Sequence, residues 1–370
     1  MEATWAPAVL DLFLELAAIQ SPSGEEAEVA ERVRGYLRGL GLGVEADEAG
    51  NLVARLEPDA ADGGRPIFLC AHLDTVPPAG AIEPVVTDGV VRSATGTILG
   101  ADDKAAVAVL LESARLVLAE RRPHAGVELV FTVREETGLQ GAKAFDETRL
   151  NARTGFVYDY SGPVGDVVVA APYARTIDVV FKGRPAHSGI APEEGRSAIV
   201  AAAKAISDLP LGRIDDETTA NVGRIAGGTA RNIIPDRCYL GVEARSRDEG
   251  KLAALVEEML EGLAFAAALV ECEVETSVEE SYRGYRLGLD DDAVRLALAA
   301  LERSGFQPRP VEVGGGADAN VFNARGLACV NLANGMAHVH TPDEEIAVAD
   351  LEAMLSVTLA LIAAAHELDA

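Results

Sequence analysis

Apolar residues recur along this chain in two ways. Short continuous runs stand at Leu52–Leu56, Ile67–Ala71, Val127–Val133 and Leu327–Leu332, the pattern of strands covered on both faces. Longer stretches carry helical spacing: Trp5 to Ile19 with Val9, Leu12, Phe13 and Leu16 on one side, a second stretch from Ser23 to about Leu40, then 104–121, 290–304 and Val348 to about His366. Ser23 with Glu26 three residues on has capping-box spacing, and Gly41-Leu42-Gly43 ends that helix. Strands at Gly43–Ala46, 155–158 and 165–170, a hairpin arm at Val90–Ala94 and a short helix near Leu139 to Phe145 complete an alternating β/α first part.

The pattern changes after Ala171-Pro172. Strand (Ala174 to Lys182), helix (Glu193 to Leu209), two strands (Thr218 to Ile225, Arg237 to Ala244), helix (Asp248 to Ala268) and strand (Glu271 to Val278) follow in order. That β-α-β-β-α-β order predicts a ferredoxin-like four-stranded antiparallel sheet with two helices. The α/β style returns after Tyr285, with a strand near Pro310 to Val313. The expected fold is therefore a mostly parallel mixed sheet flanked by helices, in two parts (1–172 and 285–370), with an inserted α+β lid (173–284).

Composition narrows the function. The 370 residues carry a formal charge of -27, which makes nucleic acid and anionic membranes poor partners. The start, Met1-Glu2-Ala3-Thr4-Trp5, lacks the basic and apolar segments of a signal peptide, and no charge-free span suggests a membrane helix. Cys70, Cys238, Cys272 and Cys329 lie far apart without metal-type spacing, which favours free thiols and a cytoplasmic location.

Chemistry gathers where the apolar runs stop. His72-Leu73-Asp74 ends one, Glu135-Glu136 another, and Asp159 and His340 follow two more; Gly100-Ala101-Asp102-Asp103-Lys104 leads into a helix. In open α/β sheets ligands bind at that end of the strands, and these residue types suit a two-metal hydrolase site. Taken singly, each has a plainer reading. His-x-Asp is common by chance, Glu-Glu is usually a solvated pair, and spacing does not choose between His338 and His340. His124 and His366 read as surface residues.

Together these motifs, with Gly183-Arg184-Pro185-Ala186-His187-Ser188-Gly189 and Arg231-Asn232-Ile233-Ile234-Pro235-Asp236, resemble the cocatalytic dizinc exopeptidases that include peptidase T, carboxypeptidase G and the aminoacylases. The resemblance spans the chain and is nearer to peptidase T than to the desuccinylase branch. It implies that His72 and Asp159 bind one ion, Glu136 and His340 the other, and that Asp102 bridges both, with a cis bond between Asp102 and Asp103. Zinc is the implied metal, with manganese or cobalt also suited to mixed N/O ligands. Glu135 is the implied general base and then acid, and Asp74 the support of His72. His187, Asn232, Arg245, Gly315 and Gly316 are the implied substrate contacts, and without the resemblance His187, Asn232 and Arg245 read as surface, turn and ion-pair residues. The implied activity is hydrolysis of short peptides from the amino end, the alternative an N-acyl-amino-acid or dipeptide hydrolase. The lid is expected to close on substrate and to form a homodimer. One position departs from peptidase T: Gly314 stands where that branch has an arginine before its glycine loop.

Overall fold

The computed structural model describes residues 6–58 and 64–368, so Trp5 lies outside the described residues. In chain order the elements are α1 (Ala6–Ala18), α2 (Ala27–Gly39), β1 (Val44–Ala46), β2 (Leu52–Leu56), β3 (Ile67–His72), β4 (Pro84–Thr87), β5 (Val90–Ser93), α3 (Ala101–Glu120), β6 (Val127–Thr132), α4 (Gln140–Ala144), β7 (Thr154–Tyr160) and β8 (Asp166–Ala171). Next come β9 (Tyr173–Lys182), α5 (Ala198–Asp208), β10 (Gly212–Arg213), β11 (Thr218–Gly227), β12 (Arg237–Ser246), α6 (Glu249–Leu269), β13 (Glu273–Tyr282) and β14 (Tyr285–Arg286). The chain ends with α7 (Asp292–Arg303), β15 (Arg309–Glu312), α8 (Asp318–Ala324), β16 (Ala328–Ala333), β17 (Glu345–Ala347) and α9 (Val348–Glu367).

Two compact units result: Met1–Val169 with Arg286–Glu312 and Ala317–Ala370, and Ala170–Tyr285 with Val313–Gly316. In the first, strands run in the order β1-β2-β6-β3-β7-β16-β8, with β15 also on β8. Pairing is parallel across β6, β3, β7 and β16; β1–β2, β2–β6 and β16–β8 are antiparallel. The sheet is the mixed one expected, parallel through its centre and antiparallel where β1 and β2 flank it. Every residue of β3 and β6 is buried, as the continuous apolar runs required. Among the described residues α9 alone is long and apolar enough to cross a membrane; its Leu351, Met354, Leu355, Leu361 and Ile362 instead lie in the core cluster, where the helix meets α1, α3 and α7.

The second unit is an antiparallel sheet in the order β10-β11-β12-β9-β13. The two-residue β10, pairing with Thr219 and Ala220, makes it five-stranded rather than four. Ile177, Val179 and Phe181 point under α5 and α6 while Asp178 points away, the alternation of a sheet wet on one face.

Several local readings are corrected. Ser23 does not cap α2: its Oγ donates to Asp74 Oδ2 at 2.6 Å, while Glu26 Oε1 accepts from Gly24 N at 2.7 Å and Arg134 N at 3.1 Å. A long-range carboxylate outcompetes the local cap. The helix expected from Glu193 starts at Ala198, capped by Ser197, after a separate 3-10 turn at Pro192–Glu194. His124 is buried, its Nδ1 accepting from Gly126 N at 3.3 Å. Cys70, Cys238 and Cys329 are buried and Cys272 partly so, all four unpaired as thiols.

Candidate metal centre

Four parallel strands deliver their C-terminal ends to one edge of the sheet. His72 is the last residue of β3, Glu135 and Glu136 follow β6, and Asp159 lies near the end of β7. Asp102 and Asp103 open α3 with non-helical backbone angles and a cis peptide bond between them. His340 does not follow a strand directly; it sits on a loop seven residues beyond β16, at a positive φ of 64°.

Two donor groups assemble there: His72, Asp102 and Asp159, and Asp102, Glu136 and His340, the donor atoms of each lying within 4.8 Å of one another. Asp102 belongs to both. Its Oδ1 lies 3.0 Å from His72 Nε2 and its Oδ2 3.2 Å from His340 Nε2, which is also 2.9 Å from Glu136 Oε1. His72 Nδ1 lies 2.9 Å from the carbonyl oxygen of Asp74, and donating there leaves the lone pair on Nε2. That lone pair faces a carboxylate, as His340 Nε2 faces two. Only a cation in each place, a proton or a metal ion, satisfies both sides. The donor set of two imidazoles and three carboxylates, shared through Asp102, fits two divalent ions.

Proton affinities follow the same logic. Burial opposes charge on His72, but hydrogen bonds to Asp102 and Asp74 carry its pKa well above the ordinary value. His340 is lifted to about 10 by Asp102 and Glu136. Burial works to raise Asp102, yet its bonds to His340 and His72 hold it below the usual carboxylate range. Asp159 is pushed well up, by burial and then by Asp102. Glu135, buried and outside both donor groups, is pushed well up by burial and then by Asp159.

Asp74 does more than support His72. Its side chain stands 3.5 Å from His72 Nδ1, farther than its own carbonyl. The carboxylate instead accepts from Glu135 N at 2.9 Å, Glu136 N at 3.2 Å and Ser23 Oγ, so one buried acid positions both glutamates.

Several further residues shape the site without having been singled out from sequence. Asn331 brackets Asp159, its Oδ1 accepting from Asp159 N and its Nδ2 donating to Asp159 O, both at 2.8 Å. Asn334 Nδ2 donates to Tyr158 O at 2.9 Å and to Asp103 Oδ1 at 3.4 Å. Asp318, buried and lifted to about 6 chiefly by desolvation, accepts from Thr132 Oγ1 at 2.5 Å. A signal was present for Asn331 alone: an amide inside a fully apolar run.

In the second unit, His187 is exposed and its segment is zipped to the Asn232 segment, with Ser188 N donating to Asn232 O at 3.0 Å and Ile234 N to Ala186 O at 2.9 Å. Arg245 Nε and one terminal nitrogen donate to Glu243 at 2.7 and 2.9 Å, and the guanidinium lies over Tyr282, 5.9 Å from the ring centre. Gly316 packs so close to Tyr282 that a Cβ would come within 2.3 Å of the ring, while Gly314 and Gly315 have open space there.

Comparison with known proteins agrees with this geometry. The peptidase dimerisation domain matches residues 172–268 and peptidase family M28 matches 51–180. The aminopeptidase PepT of Bacillus cereus superimposes with a TM-score of 0.86 at 38% identity, over 97% of this chain and 98% of that one. The chain belongs to the peptidase T-like part of the M20 peptidase family. A tripeptidase of Staphylococcus aureus superimposes on this M20 peptidase with a TM-score of 0.92 at 35% identity, over 98% of this chain and 99% of that one. Peptidase T of Vibrio cholerae is 28% identical over 290 residues, 75% of this chain and 66% of its own length. This M20 chain is a metal-dependent hydrolase of the peptidase class.

Proposed function

We propose that this M20 peptidase is an aminopeptidase of short peptides, with Glu135 as general base and then general acid. The observation that carries the reading is the position of Glu135: beside both donor groups, a member of neither, and buried with its proton affinity raised. A base must stay free of the metals and keep a pKa near the working pH. Ions held by His72, Asp102, Asp159, Glu136 and His340 would supply Lewis-acid activation of water and of the peptide carbonyl. Glu135 accepts the proton of the attacking water and delivers it to the departing amine nitrogen. Asp74 keeps Glu135 in register with Glu136 by holding both backbone N–H groups. Zinc is the proposed ion, supported by the mixed nitrogen and oxygen donors.

In the same reading His187, Asn232, Arg245, Gly315 and Gly316 contact substrate, His187 donating to the carbonyl oxygen. Gly314, in place of an arginine, leaves the peptide carboxylate to backbone N–H groups of the glycine loop. The relatives' descriptions as aminopeptidase and tripeptidase support short peptides as substrates. A homodimer through the second unit is supported by β11, whose residues beyond Ala220 pair with none of the described residues on the β10 side, and by exposed Ile225; sedimentation equilibrium decides it. Four unpaired cysteines support a cytoplasmic location, and fractionation of the source cells checks it.

Tripeptides and N-acetyl amino acids, assayed side by side with zinc or manganese, test the substrate class; turnover of the acylated compounds alone overturns it. Glu135→Gln should lower kcat by about 10²–10⁴-fold with two ions still bound per chain. His187→Ala should lower kcat with the ion count unchanged. A Glu135→Gln enzyme as fast as the parent removes Glu135 from the mechanism.

A further inference from the structure

The loop 338–344 carries more than His340. It is closed at its base by reciprocal backbone bonds, Ala337 N to Glu345 O at 2.9 Å and Glu345 N to Ala337 O at 3.1 Å, and β17 just beyond pairs with β5. His340 stands on it half-exposed. Glu344, at the base, is buried. Its Oε2 accepts from Leu99 N and Gly100 N, both at 2.8 Å, and its Oε1 from Asp102 N at 3.0 Å. Gly100 has a positive φ of 74°, which turns successive N–H groups toward one point at the start of α3. Such a concavity at a helix N-terminus binds anions; here the anion is a side chain of the protein, 242 to 245 residues away in sequence.

We infer that Glu344 is a positioning residue for the metal centre: it fastens the loop bearing His340 to the segment bearing Asp102. Two of the three donors in the Asp102–Glu136–His340 group depend on this one carboxylate. The His72–Asp102–Asp159 group depends on it only through Asp102, since His72 ends β3 and Asp159 is bracketed by Asn331. The hydrogen bonds of Glu344 go to backbone N–H groups, so it acts by placing the backbone, while its charge also faces that of Asp102. The inference rests on the two-ion reading above.

The test is metal binding to the full chain without substrate, by calorimetry with Zn²⁺ after chelator treatment and by elemental analysis after gel filtration. In Glu344→Gln the amide sets a donor against the N–H groups that the carboxylate accepted. The weaker of the two ions should bind about 10–100-fold less tightly and be lost on gel filtration, the tighter one changing less. Glu344→Asp, which keeps both oxygens on a shorter arm, should fall between and serves if Glu344→Gln does not fold. Cobalt added to saturation should give the variant a visible spectrum altered from that of the parent. Two ions bound with parental affinity in a variant of lowered thermal midpoint would make Glu344 merely structural and overturn the inference; equal loss of both ions would overturn it as well. A parent chain that itself fails to bind two ions refutes the reading underneath, which separates the two failures.

Discussion

The two donor groups share Asp102 but are built on different ground. His72 and Asp159 rise from strands buried in the middle of the sheet, and each is braced by a near neighbour: the Asp74 carbonyl for His72, Asn331 for Asp159. Glu136 and His340 come from loops, and His340 is half-exposed. A strand end is located by its whole ladder of hydrogen bonds, whereas a loop donor is located by a few specific contacts. One side of this centre is therefore preorganised by the fold, and the other by Asp74 and Glu344.

Breaking the shared member should have the largest effect. Asp102→Ala should remove both ions and reduce peptide hydrolysis to background; retention of either ion with parental affinity would mean that Asp102 does not bridge. The two histidines should then separate. Without metal, His72→Ala leaves buried acceptors on Asp102 and Asp74 without a donor, at a cost of about 1–3 kcal/mol, whereas His340→Ala should cost less, because the imidazole it removes is itself half in water and leaves water access to the carboxylates it faced. Chemical denaturation in chelator measures both, and equal losses would erase the contrast.

The smallest effect is in pH. Asp103, Asp159 and Glu135 all have pKa values above the ordinary range when folded, by burial first. Each binds its proton more tightly folded than unfolded, so its contribution is present at low pH and lost as pH rises. His72 and His340 act in the same direction, at higher pH. Asp102, held low, loses its contribution only in strong acid. The metal-free thermal midpoint should fall by a few degrees from about pH 5 to pH 8, and saturating zinc should flatten that slope. A metal-free midpoint that rises over the same range would show that these acids are not crowded.

What sequence foretold here followed from periodicity. The runs Ile67–Ala71 and Val127–Val133 are buried from end to end, and their parallel pairing sets the charged motifs just past them at one sheet edge. The β-α-β-β-α-β order of 173–284 likewise announced an antiparallel sheet with two helices. The His-x-Asp, Asp-Asp and Glu-Glu motifs pointed to the metal chemistry, and the resemblance chose His340 over His338.

Other residues left no such trace. Glu344 lies in the same stretch as His340 and looks like any acid of a chain with 59 of them. Ser23 has the spacing of a cap and serves Asp74 instead. His124 looks like a surface residue beside two arginines and is buried.

Sequence by itself determined which segments are strands and helices, where the chain changes style, and which motifs could gather as metal donors, because those depend on side-chain order over a few turns. Only the tertiary structure decided how the donors are held: Glu344 on the N–H groups of Leu99, Gly100 and Asp102, Asn331 on Asp159, Asp74 on both glutamates. Those contacts join backbone groups to side chains across tens to hundreds of residues. A backbone N–H has no letter of its own, so the pairing exists only once the sheet has brought the loops together.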